Sequence, residues 1–320
     1  MVESLPTAWF LTGPTAAGKT AVGIELARQI GAEIISLDSM ALYRGMDIGT
    51  AKPSTEEQGA VPHYLIDILK PSQEFSVAQY LEAATAAAQD ISARGKQVLF
   101  VGGTALYLKA LLRGLFSGPT ADWKLRRELE EFARVDGPEA LHNRLKEVDP
   151  VAAAKLHPND VRRIIRALEV HQTTGQAIST LQQQFDRSRP ASECRVFVLD
   201  WPRQQLDQRI RQRVDEMFAA GLVDEVRRLL SGTSPDTPEA ALSRTASQAV
   251  GYKEVLDFLK DERDLPSTIE RVKLRTRQFA KRQLTWFRSL SECRWIAMQE
   301  PLEPQTVARQ IMAIGQNSKA

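Results

Sequence analysis

A short apolar run, Ala8-Trp9-Phe10-Leu11, leads into Gly13-Pro14-Thr15-Ala16-Ala17-Gly18-Lys19-Thr20, and Val22, Leu26 and Ile30 then recur at helical spacing. A strand, a glycine-bounded loop and an amphipathic helix in direct succession leave few folds open. The loop has the form G-x-x-x-x-G-K-[ST], in which successive backbone N–H groups converge on phosphate oxygens. The helix behind it adds the positive end of its dipole. Lys19 supplies a point charge to a diphosphate or triphosphate, and the Thr20 hydroxyl is of the type that ligates Mg²⁺. The flanking strand and helix remove most chance matches, so Gly13 to Thr20 are expected to bind phosphate.

Strand and helix signals keep alternating. Glu33 to Asp38 reads as a second strand ending on a carboxylate, and His63 to Ile68 as a third. An Ala-rich helix over Val77 to Arg94 stops at Gly95, and Val98 to Val101 is a strand ending in Gly102-Gly103-Thr104. Such alternation, with strands apolar on both faces, predicts a parallel sheet covered by helices. From Trp123 to about Gln184 only helical periodicity is found. Arg195 to Asp200 then resumes as a strand, and the rest reads as mostly helical. The expected fold class is α/β: a P-loop NTPase-like parallel-sheet core from 1–116 and 191–320, with a helical C-terminal region. A helical insertion domain over 117–190 interrupts it. Ser231 to Pro238 has the composition of a surface loop.

Several function classes drop out on composition. Cys194 and Cys293 form no C-x-x-C pair, and His63, His142, His157 and His171 lack metal-ligand spacing. Both thiols are expected to be idle, as suits a reducing cytosol, and the histidines receive no catalytic role. The start lacks a basic segment followed by an apolar one. No apolar run approaches the roughly 18 residues of a membrane span. A soluble, cytoplasmic protein without membrane contact is expected. Net charge is only +2, so a nucleic-acid surface must come from local clustering.

The P-loop alone would suggest ATP or GTP binding with phosphoryl transfer. Against that, the strand ending at Val101 continues into Gly-Gly-Thr where a Walker-B Asp is expected, and no Asn-Lys-x-Asp guanine signature occurs. Asp38 stands where parallel strands present ligands, at a carboxyl end. It is a candidate general base or Mg²⁺ partner; the structural alternative is a helix N-cap. Arg209 and Arg213, four apart, share a helix face that would meet a diphosphate or solvent. The stretch Arg271 to Arg288 holds seven basic residues and no acidic one. As a helix it would turn Val272, Phe279 and Trp286 to the core. Arg277, Lys281 and Arg288 would then form one basic stripe, and Arg271, Arg275 and Arg282 another, suited to a phosphate backbone.

Together these segments resemble the tRNA dimethylallyltransferase (tRNA isopentenyltransferase) family. The likeness lies in residues 13–20, in Asp-Ser-Met-Ala-Leu-Tyr-Arg-Gly-Met-Asp-Ile-Gly-Thr-Ala-Lys-Pro (38–53) and in Val-Gly-Gly-Thr-Ala-Leu-Tyr (101–107). It continues in His-Pro-Asn-Asp-Val-Arg-Arg-Ile-Ile-Arg-Ala-Leu-Glu (157–169), Ala-Val-Gly-Tyr-Lys-Glu (249–254) and Arg-Gln-Phe-Ala-Lys-Arg-Gln-Leu-Thr-Trp-Phe-Arg (277–288). Ala41 departs from the Gln that many members carry. The resemblance implies transfer of a dimethylallyl group from dimethylallyl diphosphate to N6 of the adenosine 3′ of the anticodon. The tRNAs concerned read codons starting with U. It implies Asp38 as base, Lys19 and Arg213 on the diphosphate, and Thr20 on Mg²⁺. It implies RNA contacts at Asp38, Ser39, Met40, Ala41, Thr104, Arg126, Arg162, Arg163, Arg166, Gln248, Arg277 and Lys281, with the anticodon stem-loop as partner and a monomeric enzyme. The rival readings are an ATP-dependent small-molecule kinase, prenylation of free AMP or ATP, and an RNA-binding P-loop switch.

Overall fold

The first apolar run forms β1 (Trp9–Thr12), buried at every position, and the P-loop carries the chain into α1 (Lys19–Ile30). Next come β2 (Ala32–Ser36), α2 (Thr55–Ala60), β3 (His63–Tyr64), α3 (Val77–Ala93), β4 (Gln97–Val101) and α4 (Ala105–Arg113). The helices α5 (Trp123–Val135), α6 (Pro138–Val148), α7 (Pro150–Lys155), α8 (Val161–Thr174) and α9 (Ile178–Leu181) follow. The sequence closes with β5 (Val196–Asp200), α10 (Arg203–Ala219), α11 (Leu222–Ser231), α12 (Tyr252–Leu259), α13 (Leu265–Arg288), β6 (Cys293–Ala297) and α14 (Pro304–Gln316). The structure, a computed structural model, describes residues 7–116, 118–182, 188–231, 242–260 and 262–317. The predicted surface loop after Ser231 lies outside the described residues.

The strands form one parallel sheet in the order β3-β2-β4-β1-β5-β6. Parallel pairing needs crossovers, and the crossover helices cover both faces. Register decides which side chains meet. Phe10 pairs with Phe100, so their rings stack on one face, 4.9 Å between centroids. On the other face lie Leu11, Leu99 and Phe197, packed with Val22 and Leu26 of α1 and Ile210 of α10. Each fully buried side chain of this size contributes about 1.5–3 kcal/mol.

Two strands differ from the sequence reading. The third covers only His63–Tyr64, because Leu65 (φ 59°) and Asp67 (φ 56°) take left-handed conformations that end the extended run. A sixth strand, β6, pairs with β5 from Val196↔Cys293 to Asp200↔Ala297. As an edge strand it buries Cys293 and Ile296 but leaves Trp295 and Ala297 exposed, and so lacks the continuous apolar signature of the inner strands.

The chain divides into two compact units, Met1–Leu112 with Ser188–Ala320, and Arg113–Arg187. The second unit has its own core, with Leu129, Leu141, Leu145, Ile164, Ile165 and Leu168 buried together. Asp149 caps α7 at Ala152 N–H (2.9 Å) and also accepts from the backbone and hydroxyl of Ser179, tying α7 to α9. Buried His142 places Nε2 3.0 Å from the carbonyls of Ala153 and Leu156 at the end of α7, a structural role.

Where β4 ends beside β2, a Cβ on Gly102 would lie 2.3 Å from the Leu37 carbonyl. Gly102→Ala should lower the unfolding free energy by about 1–3 kcal/mol in urea titrations. Gly59→Ala, in α2 with open space around it, should instead raise it by up to about 1 kcal/mol.

Candidate functional site

All the loops that matter leave the carboxyl ends of β1, β2 and β4. The P-loop bends through Ala16 at φ 64°, an uncommon conformation for a residue with a side chain. Its carbonyls are fastened from outside the ring of N–H groups. Lys19 Nζ donates to the oxygens of Gly13 (3.2 Å) and Pro14 (2.8 Å). Arg209 Nε donates to the Ala16 oxygen (2.9 Å), and Trp201 Nε1 to the Ala17 oxygen (3.0 Å). The N–H groups of Ala16, Gly18, Lys19 and Thr20 make no hydrogen bond to the described residues. They stand at the positive end of α1, which is the arrangement that binds a polyanion.

Thr15 departs from this pattern. Its N–H donates to Gln283 Oε1 at 2.9 Å, so it serves the protein and not a phosphate. Arg209 differs too. It is paired with Glu300 at 2.6 Å and lies over the Trp201 ring, 4.3 Å from its centroid. It therefore buttresses the loop, and Arg213 is left as the arginine available to a ligand. Arg213 bonds only weakly, through Nη2 to the Thr50 oxygen at 3.4 Å, and its Nε is buried with no hydrogen-bond partner. An orphaned guanidinium donor beside a P-loop is expensive unless an anion completes it.

Asp38 lies in the same electrostatic neighbourhood. The Lys19 ammonium is brought down to about 7, chiefly by burial and then by Arg213, against the opposing charge of Asp38. Burial also lowers Arg213, again against Asp38. One oxygen of Asp38 accepts from Met40 N–H at 2.8 Å, as the capping alternative required, although a turn and not a helix follows. The other oxygen has no partner among the described residues. Thr104 fixes the neighbouring residue: its hydroxyl accepts from Ser39 N–H at 3.0 Å, while its own N–H donates to the Leu37 oxygen. Tyr80 and Tyr107 stack 3.8 Å apart nearby. Both phenols are pushed up, chiefly by burial, with the Asp38 charge contributing. Ala41 is buried and its carbonyl accepts from Asp67 N–H, so neither group is presented to a ligand.

The second half of segment 38–53 proves to be scaffold. Buried Glu225 of α11 accepts from the N–H groups of Asp47 (3.0 Å), Ile48 (2.8 Å) and Gly49 (3.2 Å) and from the Tyr252 hydroxyl (2.5 Å). Lys52 ties Asp47, Asp67 and the Tyr43 carbonyl together. This cradle holds the Thr50 carbonyl that receives Arg213. Nothing in local spacing announced Glu225 or Gln283, because each partner lies far along the chain.

Helix α13 also differs from its sequence reading. Its buried face is Val272, Thr276, Ala280, Gln283 and Phe287, while Phe279 is 37% exposed. A straight helix follows i, i+4 and i, i+3 steps, whereas a strict heptad drifts around it. The missing acids are supplied mainly by neighbouring elements. Lys273 pairs with Asp215 and with Glu270 one turn earlier, Arg275 with Glu254 and Arg277 with Asp207. Arg271, Lys281, Arg282 and Arg288 remain exposed, with Arg282 over the Phe279 ring and Arg288 over Trp295. Gln248 is exposed as well. In the second unit, Arg126 and Arg166 converge on Glu169, which is fully buried. Arg162 and Arg163 are exposed, the latter paired with Asp160.

No group of three or more His, Cys, Asp or Glu side chains converges among the described residues. Oxygen donors for a hard cation are nonetheless present in the Thr20 hydroxyl, which makes no hydrogen bond to the described chain, and in Asp38. Such a sparse set suits Mg²⁺, which takes one or two protein oxygens together with substrate phosphates and water. Both cysteines are buried and free. No helix among the described residues is long and apolar enough to cross a membrane.

Similarity to known proteins follows the same features. The family model for IPP transferase matches residues 41–290. The tRNA dimethylallyltransferase of Geobacter metallireducens is 49% identical over 284 residues, covering 89% of this chain and 90% of that protein. That of Rhodopirellula baltica is 50% identical over 293 residues, covering 89% and 86%. Among solved structures, the tRNA isopentenylpyrophosphate transferase of Bacillus halodurans superposes with a TM-score of 0.68 at 38% identity, covering 98% of this chain and 97% of that one. A eukaryotic dimethylallyltransferase acting on tRNA gives 0.76 at 29% identity, covering 96% and 77%.

The low Lys19 value carries a pH signature. A bound diphosphate favours the charged ammonium, so its pKa rises on binding and a proton is taken up. Affinity is then greatest below pH 7 and weakens as pH rises through that value. For methyl diphosphate, already fully ionised above about pH 7.5, the decline should approach tenfold per pH unit. Calorimetry in two buffers of different ionisation enthalpy should show the proton uptake. Lys19→Met should bind weakly and without the slope.

Proposed function

The chain belongs to the IPP transferase family, and on that premise we propose that this crevice is where its tRNA dimethylallyltransferase chemistry takes place. The enzyme transfers a dimethylallyl group from dimethylallyl diphosphate to N6 of the adenosine 3′ of the anticodon, in tRNAs reading codons that start with U, and releases diphosphate. The nucleophile is poor, because the N6 lone pair is delocalised into the purine. Progress therefore depends on a stabilised leaving group and on removal of the amine proton.

The observation that carries the assignment is Asp38, with one oxygen uncommitted, in the field of Lys19 and Arg213. In the proposed reaction the C1–O bond to diphosphate breaks as the C1–N6 bond forms, and Asp38 accepts the amine proton. Lys19, Arg213 and the N–H groups of Ala16, Gly18, Lys19 and Thr20 take up the charge of the departing diphosphate. Thr20 would hold Mg²⁺, and the ion would supply further charge neutralisation for the leaving group. The roles of Ser39, Met40 and Thr104 are to bound the target nucleotide around Asp38.

RNA contact is assigned to Gln248, Arg277 and Lys281 on the core and to Arg126, Arg162, Arg163 and Arg166 on the second unit. Arg126 and Arg166 would act with guanidinium groups already oriented by Glu169. Taking a base from a folded anticodon loop requires it to leave its stack, which backbone contacts of this kind support. The enzyme is read as a monomer working in the cytoplasm, where tRNA is found.

Incubation with unmodified tRNA and dimethylallyl diphosphate should release diphosphate and prenylate one adenosine. Absence of product with every tRNA that reads codons starting with U would sink the assignment. Asp38→Asn keeps an acceptor for Met40 N–H but cannot take the proton. Its single-turnover rate should fall by about 10²–10⁴, with affinity for the anticodon stem-loop unchanged.

A further inference from the structure

A buried amide joins the basic helix to the phosphate loop. Gln283 of α13 is 6% exposed. Its Oε1 accepts from Thr15 N–H at 2.9 Å and its Nε2 donates to the Gly103 oxygen at 2.8 Å. The orientation of the amide is determined, since Thr15 N–H can only donate and the Gly103 carbonyl can only accept. A Cβ at Gly103 would lie 2.4 Å from Gln283 Nε2 and 3.6 Å from Lys19 Nζ, so a side chain there would require the amide to leave this position.

The other fastenings of the P-loop hold its carbonyls: Lys19 on Gly13 and Pro14, Arg209 on Ala16, Trp201 on Ala17. Gln283 is the side chain that takes one of its N–H groups. The distinction matters once a diphosphate arrives. A Lys19 that turned its protons to the ligand would give up the Gly13 and Pro14 oxygens, whereas both bonds of Gln283 run to backbone groups independent of Lys19. Through Gly103, Gln283 also reaches the residue preceding Thr104, which anchors Ser39 beside Asp38.

We propose that Gln283 is a positioning residue for the reaction: lodged in the basic helix, it sets the P-loop against the β4–α4 loop so that the leaving diphosphate and the base stay in register. The proposal takes from the function above only that the P-loop receives a diphosphate.

Two variants test it. Gln283→Met keeps the bulk and leaves both backbone partners unpaired. Methyl diphosphate should then bind about tenfold more weakly by calorimetry. The KM for dimethylallyl diphosphate should rise in step, while the KM for tRNA stays at its wild-type value. Gln283→Glu can still accept from Thr15 but cannot donate to Gly103, and it places a carboxylate near Lys19. It should bind methyl diphosphate at least as weakly at pH 7. A purely structural role would lower the melting temperature without the selective rise in the KM for dimethylallyl diphosphate. Either variant, folded by circular dichroism and binding methyl diphosphate as the wild type does, overturns the proposal; if Gln283→Met does not fold, Gln283→Glu decides. If these variants lose diphosphate affinity while the wild-type protein prenylates no tRNA, the assigned function is overturned and the positioning role stands.

Discussion

Parallel pairing of β1 between β4 and β5 is the constraint on which everything else rests. In a parallel sheet all strands release their carboxyl ends at one edge, so the P-loop after β1, the Asp38 turn after β2 and Gly102-Gly103-Thr104 after β4 are delivered to one crevice. The register is equally demanding. Leu11 pairs with Val101 and Thr12 with Val198, and the Thr12 hydroxyl closes the end of the pair on the Gly102 oxygen. A slip of one residue would exchange the Phe10–Phe100 face for the Leu11–Leu99 face and carry the loops with it.

The crevice is electrostatically frustrated in a way that the proposed diphosphate would relieve. Lys19 and Arg213 are both held away from water, and Arg213 further depresses Lys19, with Asp38 as the opposing charge. Bringing two cations together in a partly dry site costs stability, and the Arg213 Nε is left without a partner. The surrounding protein offsets that cost through a scaffold that is itself fully satisfied. Glu225 answers three backbone N–H groups and the Tyr252 hydroxyl, and burial and this bond together push the Tyr252 phenol up. Preorganised charge of this sort is worth most where charge develops late, as it does on a departing diphosphate.

Much of the core could be read in advance. Strands β1, β4 and β5 are apolar on both faces, and both ends of the P-loop helix are marked. Asp38 was legible from its place after a strand. The edge strand β6 was not, since half-exposure removes the continuous apolar signal, and β3 was overextended because left-handed Leu65 and Asp67 leave no mark in hydropathy. The acid-free stretch 271–288 suggested a bare basic surface. Asp207, Asp215 and Glu254, from other helices, together with Glu270 just ahead of the stretch, in fact answer part of its charge.

The sequence by itself determined the phosphate loop, the carboxylate that faces it and the family these belong to. Their signals are local: a fixed spacing of glycines, one lysine, one hydroxyl, a strand before the loop and a helix after it. The resemblance already pointed to Arg213, but tertiary structure alone supplied the physical reason and decided what holds the loop in shape. Arg209 and Arg213 are equivalent on a helical wheel, and only packing pairs the first with Glu300 and Ala16. Thr15 and Gln283 are 268 residues apart, a contact no local pattern encodes, because a hydrogen bond depends on where two groups end up in space and not on how far apart they lie along the chain.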